Sequence, residues 1–444
     1  MFSWASWFPS IIVFPTPLLG EIFRHILYNS DGTPVKNIEV KRILLRSTCR
    51  RWMHAVDTNP FLWRALVLEH YDLWYKFYNV PLSLVERFVR CSGEEPISIS
   101  IDASLERHPE YIQTHASAIT LDVFKMLIGP QGDVLKRWNS FKITCCDRFD
   151  ISRLYLLGLW PAPLLTSVEI NYPGQFGGII ELNSPMIRRI VHRECTLFFA
   201  PCAGFHFMAL TDLTLWAPSA ADLCMVADLT VWVRILRQTP RLVSLRLRAN
   251  SSMDELLPGP SKKEEIIQLS YLEQIFIDEE GPWKLLQYLR CRTLATMKID
   301  GALSESFCDR LLGHAQCYDH LSHLKHLWFR SSIITTTQFT VEQAATFYRG
   351  FLARLFPKLN TLIVPFSIYG YSNQMAACLS KVWPKDEGWR VQIFLRLRDD
   401  ALFPKRAVIN GGEYVFKVFF EDLHDGSSGA LQAHRYTCLR ERRL

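Results

Sequence analysis

The chain has 444 residues, of which 49% are hydrophobic and 21% charged, with a formal net charge of +6. This is a globular composition that excludes extensive disorder, and the length accommodates two or three average domains or one long repeat array. The modest charge, with no concentrated basic run before the tail, argues against nucleic acid as a main partner.

The opening text, MFSWASWFPSIIVFP, is apolar but has no basic n-region and no clear small-residue cleavage site, so it does not read as a signal peptide. The longest uncharged runs, Leu154–Val168 and Cys195–Thr211, are short and broken by proline, which disfavours a membrane span. The 12 cysteines are scattered without a Cys-x-x-Cys pair, and Cys145 and Cys146 are adjacent. They read as reduced core cysteines rather than zinc ligands, which places the chain in cytosol or nucleus.

Pro15 and Pro17 mark a helix start, and Leu18, Leu19, Ile22, Phe23 and Ile26 recur at helical spacing as one apolar face. A polar loop, Asn29–Asn37, leads to a second helix expected over Val40–Val56. Asn59 and Pro60 start a third, because Asn caps and Pro fits a first turn. Three short helices make a small core that gains from docking against a partner or a following domain. Trp52, Leu62 and Trp63 are the residue types that anchor interfaces, although each tryptophan equally suits the unit's own core.

The assembled text resembles the F-box, most closely the F-box-like proteins common in fungi. The resemblance lies in Phe14-Pro15, Leu18-Leu19-x-x-Ile22-Phe23, Cys49-Arg50-Arg51-Trp52 and Pro60-Phe61-Leu62-Trp63. Phe14 replaces the usual Leu, and Pro17 stands where an acidic residue is common. The resemblance implies a module that docks on the Skp adaptor of SCF-type ubiquitin ligases, and through it on a cullin. That role falls to Pro15, Leu18, Leu19, Ile22, Cys49, Trp52, Pro60, Leu62 and Trp63.

Leu82–Cys91 reads as a helix closed by Ser92-Gly93, and Ile97, Ile99 and Ile101 alternate as a strand. This passage, and Arg137-Trp138-x-x-Phe141-x-Ile143 after it, also resemble the fungal F-box family. An apolar-x-x-apolar-x-apolar text then recurs from Leu165, Ile187, Leu210, Leu242, Leu272, Leu294, Leu324 and Leu359, with starts 22 to 35 residues apart. That spacing overlaps the leucine-rich-repeat range and runs beyond it. Helical patterns fill several gaps: Leu229/Trp232/Val233/Leu236, Trp283/Leu286/Leu289, Phe307/Leu311/Leu312 and Ala344/Phe347/Phe351/Leu355. Strand and helix in alternation predict parallel strands joined by helices, stacked as a solenoid. Val391–Leu397 reads as a further strand, and Val408–Phe420 as a hairpin around Asn410-Gly411-Gly412.

The expected fold is therefore α/β, with an N-terminal three-helix F-box followed by an irregular leucine-rich-repeat solenoid, or horseshoe. Residues 10–70 form the F-box-like domain, 71–145 a linker helix and first strands, 146–400 the degenerate repeats, and 401–444 a hairpin cap and tail. An ordinary doubly wound α/β domain is the structural alternative, but GxGxxG and GxxxxGK are both missing from the text.

Side chains alternate along a strand, so the residues between the periodic apolar ones share the opposite face. That ladder contains Glu169, Asn171, Asp212, Thr214, Trp216, Arg246, Arg248, Phe276, Asp278, Lys298, Asp300, His326, Trp328, Arg330, Thr361 and Ile363. Within it, Trp216, Arg246, Arg248, Phe276, Lys298, Trp328 and Arg330 combine aromatics with cations, an interface composition that fits a target protein's acidic or phosphorylated segment. The alternative is that the cations solvate the face while the aromatics pack beneath loops.

His320, His323 and His326 form HxxHxxH without the Glu of HExxH, so they read as surface histidines. Asp278-Glu279-Glu280 reads as a solvated turn, and no GxSxG elbow occurs. The sequence thus calls for no catalytic residue, cofactor or metal. It predicts a non-enzymatic substrate receptor of a cullin-RING ubiquitin ligase, with a ligase-independent F-box/leucine-rich-repeat scaffold as the alternative and a hydrolase or transferase with an unrecognised site as a third class. The target protein is unknown, and neither nucleic acid nor membrane is an expected partner.

Overall fold

A computed structural model describes residues 14–68, 82–103, 121–145, 151–172, 178–193, 197–202, 206–216, 229–248, 266–278, 283–300, 321–329, 358–359, 361–365, 392–397 and 417–420. It is mixed α/β and separates into two compact units, Met1–Leu210 and Thr211–Leu444. The helices of 10–70 thus share a unit with 71–145 and with the start of the repeat text.

The first unit opens with α1 (Thr16–Leu27), α2 (Ile38–Thr48), α3 (Arg50–Asp57) and a 3₁₀ turn, Pro60–Trp63. The helix expected over Val40–Val56 is in fact two, broken at Cys49, whose backbone is extended (φ −163°, ψ 165°). The break has a local cause. The last carbonyls of a helix lack backbone partners, and both the Ser47 and Thr48 hydroxyls donate to the Leu44 carbonyl, at 2.9 and 3.0 Å. The third helix is the 3₁₀ turn, entered through Asn59 without a side-chain cap bond.

Strand β1 (Ala65–Leu68) follows, then α4 (Leu82–Cys91), β2 (Ile97–Ala103), α5 (Leu121–Ile128), β3 (Trp138–Cys145), the 3₁₀ segment Ile151–Gly158, β4 (Ser167–Asn171), β5 (Gly178–Leu182), β6 (Arg189–Arg193) and β7 (Leu197–Pro201). Gly93, at φ +53°, takes the left-handed conformation that ends α4. In this unit β1-β2-β3-β4-β6 lie side by side, all parallel, and β5 pairs with β7. Register stacks Leu66, Ile99, Phe141, Val168 and Ile190 as one apolar rung, and Leu68, Ile101, Ile143, Ile170 and His192 as the next. All ten are buried. His192 keeps its place in an apolar rung because its Nε2 accepts the Phe199 amide at 3.3 Å, tying β6 to β7.

The second unit contains β8 (Asp212–Trp216), α6 (Leu229–Arg237), β9 (Ser244–Arg248), β10 (Ile267–Gln268), β11 (Gln274–Asp278), α7 (Trp283–Leu286), β12 (Leu289–Arg290), β13 (Thr296–Asp300), β14 (His326–Phe329), β15 (Thr361–Pro365), β16 (Gln392–Leu397) and β17 (Lys417–Phe420). Its main sheet runs β8-β9-β11-β13-β14-β15-β16-β17, again parallel, while β10 pairs with β12. Leu213, Leu245, Ile275, Met297, Leu327 and Leu362 align across it, as do Leu215, Leu247, Ile277 and Ile299.

The repeated text has one structural meaning. In six repeats its first apolar residue closes a turn onto a carbonyl three residues back: Leu165 to Ala162, Ile187 to Ser184, Leu210 to Phe207, Leu242 to Thr239, Leu272 to Leu269 and Leu324 to Leu321. The next two amides often share the carbonyl of the residue just before the preceding strand, as Val243 and Ser244 share Thr211. In the five repeats from Leu165 to Leu272 the strand then buries the next two residues of the pattern, and in the sixth it buries Leu327, so a repeat supplies one position to each of two successive rungs.

The helix expected through Leu289 stops at Leu286, and Leu289 belongs to β12. Of the Val408–Phe420 hairpin only Lys417–Phe420 is described, as a strand parallel to β16. The patterns at Phe307–Leu312 and Ala344–Leu355, and the Asn410-Gly411 turn, lie outside the described residues.

Candidate docking surfaces

The helical part of the first unit hides one stripe of α1 and shows another. Leu19, Phe23 and Leu27, spaced four apart, are fully buried. Leu18, Ile22 and Ile26, one position earlier, remain 44%, 37% and 38% exposed. The single apolar face read from the sequence is therefore too wide for the core it meets, and its outer half stays in water. Ile43 and Leu44 of α2 and Met53 of α3 are also exposed.

The nine residues assigned to adaptor docking divide accordingly. Pro15, Leu18, Ile22 and Pro60 are exposed, and Cys49 and Trp52 are half-buried. Trp52 meets Phe23 edge-on, with ring centroids 4.9 Å apart. Leu19, Leu62 and Trp63 are core. Trp63 is locked from within, its indole N–H donating to the Val56 carbonyl at 2.8 Å.

The pair that fixes this unit, Glu39 and Arg42, went unread in the sequence. Both are charged yet at most 4% exposed. The Arg42 guanidinium donates to Glu39, twice to the Leu62 carbonyl (3.1 and 2.8 Å) and to the Ala65 carbonyl (3.0 Å). It also lies 4.5 Å from the Trp63 ring centroid. The second Glu39 oxygen accepts the Val67 amide at 3.2 Å. A buried pair is tolerable only when its remaining donors and acceptors are used, as they are here. Tyr28 donates to the same Leu62 carbonyl, and burial pushes its phenol pKa up. Arg46 and Asp57 close the unit between α2 and α3 with a two-pronged bond of 2.6 and 2.9 Å, which raises the Arg46 pKa further. The signal that could have pointed to the buried pair is a Glu and an Arg three apart in a helix only 11 residues long, where an apolar face was wanted.

The second surface is the ladder on the β8–β14 sheet. Register places Thr214, Arg246, Phe276, Lys298, Trp328 and Ile363 on one rung, and Trp216, Arg248, Asp278 and Asp300 on the next. Six of the seven expected residues thus share one face, while Arg330 lies outside the described residues. All six are half-buried. Cations and aromatics interlock: the Arg248 guanidinium is 4.0 Å from the Trp216 ring centroid, and the Lys298 ammonium is 4.7 Å from Phe276 and 4.3 Å from Trp328. Arg246 binds Asp278 through two donors at 3.1 and 2.8 Å.

Burial nonetheless raises the Asp278 pKa, outweighing the Arg246 charge beside it. Asp278 is thus a buried partner within the face, where the sequence led us to expect a solvated turn; Glu279 and Glu280 lie outside the described residues. His323 and His326 are exposed, and His320 is not described. Among the described residues no group of three His, Cys, Asp or Glu could hold a metal ion, and no helix is long and apolar enough to cross a membrane.

No family model matches the chain, and no curated protein matches it. The likeness of residues 14–63 to an F-box, and of the repeats to leucine-rich repeats, rests on the residues themselves.

Proposed function

We propose that this protein is a substrate-recognition subunit of an SCF-type cullin-RING ubiquitin ligase, working in cytoplasm or nucleus. The helical segment is its F-box and seats on a Skp-type adaptor; the repeats form a leucine-rich-repeat solenoid whose sheet face holds the target protein. The observation that carries this reading is the exposed apolar stripe Leu18, Ile22 and Ile26 of α1, with Ile43, Leu44 and Met53 exposed on α2 and α3, the helices that pack against α1. Large exposed apolar side chains gathered on one small unit mark a docking surface. Pro15, Leu18, Ile22, Pro60, Cys49 and Trp52 would touch the adaptor, while Leu19, Leu62 and Trp63 hold the contact residues in place from beneath.

Charge supports the same reading. Residues 14–64 carry eight Lys or Arg against four Asp or Glu, so the partner surface would be apolar with acidic margins. The subunit needs no catalytic group, since holding ligase and target on one chain raises the effective concentration of each for the other.

The test is capture of a Skp-type adaptor by the full chain. Leu18→Asp and Ile22→Asp each place a charge in the seat and should cost at least ~2 kcal/mol, about 30-fold in affinity, while leaving the melting profile unchanged. Trp63→Ala is a folding control, because it removes a core ring at a cost of ~3–5 kcal/mol. A wild-type chain that captures no adaptor, or stripe variants that capture it as well as wild type, would overturn the reading.

A further inference from the structure

We infer that the β9–β14 face takes an extended anionic segment of the target, with two acidic or phosphorylated side chains three residues apart. This rests on the reading of that face as the target's seat and adds the chemistry it selects.

The central rung, Thr214, Arg246, Phe276, Lys298, Trp328 and Ile363, contains no acid. The acid of the neighbouring rung that lies closest, Asp278, is sunk: its side chain is 10% exposed, whereas that of its partner Arg246 is 42% exposed. The charged groups of this rung itself are therefore the two cations Arg246 and Lys298, with Asp278 sunk beside Arg246 and Asp212 and Asp300 on the flanking rungs. Lys298 is set between two aromatic faces, at 4.7 and 4.3 Å, and Arg248 over a third. Aromatic walls displace water around a cation and strengthen its attraction for an incoming anion. They also give the uncharged side chains of the segment an apolar bed.

Geometry sets the spacing. Arg246 on β9 and Lys298 on β13 are separated by β11 alone, two strand spacings or about 10 Å. A polyproline II segment rises about 3.1 Å per residue with three residues per turn, so its side chains at i and i+3 point the same way about 9 Å apart. Such a segment, crossing the strands, sets one anion at Arg246 and the next at Lys298. Carboxylate and phosphate share this chemistry, and phosphate would gain more from Arg246.

The experiment is selection of twelve-residue peptides from a random displayed library on the full-length protein, repeated on Lys298→Gln and Arg246→Gln. The wild type should enrich peptides with Asp or Glu three residues apart, and each variant should bind the winners at least tenfold more weakly. Lys298→Arg should retain them. Replacing one acid of a winning peptide by phosphoserine separates the sources: tighter binding marks a phosphorylated target, equal or weaker binding a carboxylate one. Enrichment of peptides without acids, no enrichment, or winners that bind both Gln variants undiminished would overturn the inference. Adaptor capture is read on the same proteins. If it fails while acidic peptides bind, the ligase assignment falls and this inference stands; the converse result rejects this inference alone.

Discussion

Replacing Arg42 by Met is the most informative perturbation of the helical unit. Met approximates the length of the arginine stem but supplies no donor. Glu39, at 4% exposure, is then left with the Val67 amide as its remaining described partner, and the Ala65 carbonyl loses a bond of 3.0 Å. The Leu62 carbonyl fares better, because Tyr28 still donates to it at 3.3 Å. Removing one partner of a buried ion pair costs ~3–5 kcal/mol, mostly through the uncompensated charge that remains. The double variant Arg42→Met with Glu39→Leu removes that charge as well and should lose only ~1–2 kcal/mol, which makes it ~2–3 kcal/mol more stable than Arg42→Met alone. Hydrogen-exchange mass spectrometry of peptides within residues 16–68, read across a urea series, measures the opening free energy of this unit directly. A single variant within ~1 kcal/mol of wild type, or a double variant no more stable than the single, would show that the pair does not act as the geometry requires.

Two further outcomes follow from burial. Because burial raises Asp278 in the folded state, its contribution is fully present below the unfolded pKa and is lost as pH rises through the folded value. Wild type should therefore gain stability relative to Asp278→Asn as pH falls from about 7 to about 4, measured by urea midpoints at each pH; a gap that is constant or widens toward neutral pH refutes this. Cys291 is buried, with its thiol pushed up to about 12, whereas Cys49 is half-buried. Brief iodoacetamide treatment of the native protein at mild alkaline pH, mapped by peptide mass spectrometry, should label Cys49 and leave Cys291 intact until the protein unfolds. Equal labelling of the two would contradict the packing around Cys291.

Much of the strand layout was legible because one residue pattern has one structural consequence. In Leu242-x-x-Leu245-x-Leu247 the first leucine closes a turn and the next two fill successive rungs. The cross-strand ladder was legible for the same reason, since period two fixes which residues share a face. The break at Cys49 was not, because Ser47 and Thr48 end α2 through hydroxyl bonds that leave no trace in apolar periodicity. Nor was the division of α1 into a buried and an exposed stripe. Leu18 and Leu19 are chemically alike, and only the positions of α2, α3 and the Pro60–Trp63 turn decide which one is covered. Strands β5 and β7 escaped notice because residues 178–182 and 197–201 lack the spacing of the main repeats. Arg42 was missed because burial of an arginine depends on carbonyls at residues 62 and 65, which belong to no local pattern.

The Glu39–Arg42 pair also has a consequence for self-association. Among the described residues β1 ends its sheet, with β2 on one side of it. Such a border ordinarily offers bare amides and carbonyls on which another chain can grow. Here the Val67 amide and the Ala65 carbonyl are already spoken for by one carboxylate and one guanidinium of the same chain. At these two groups the border is blocked by charge, which denies a foreign β-segment part of its template there.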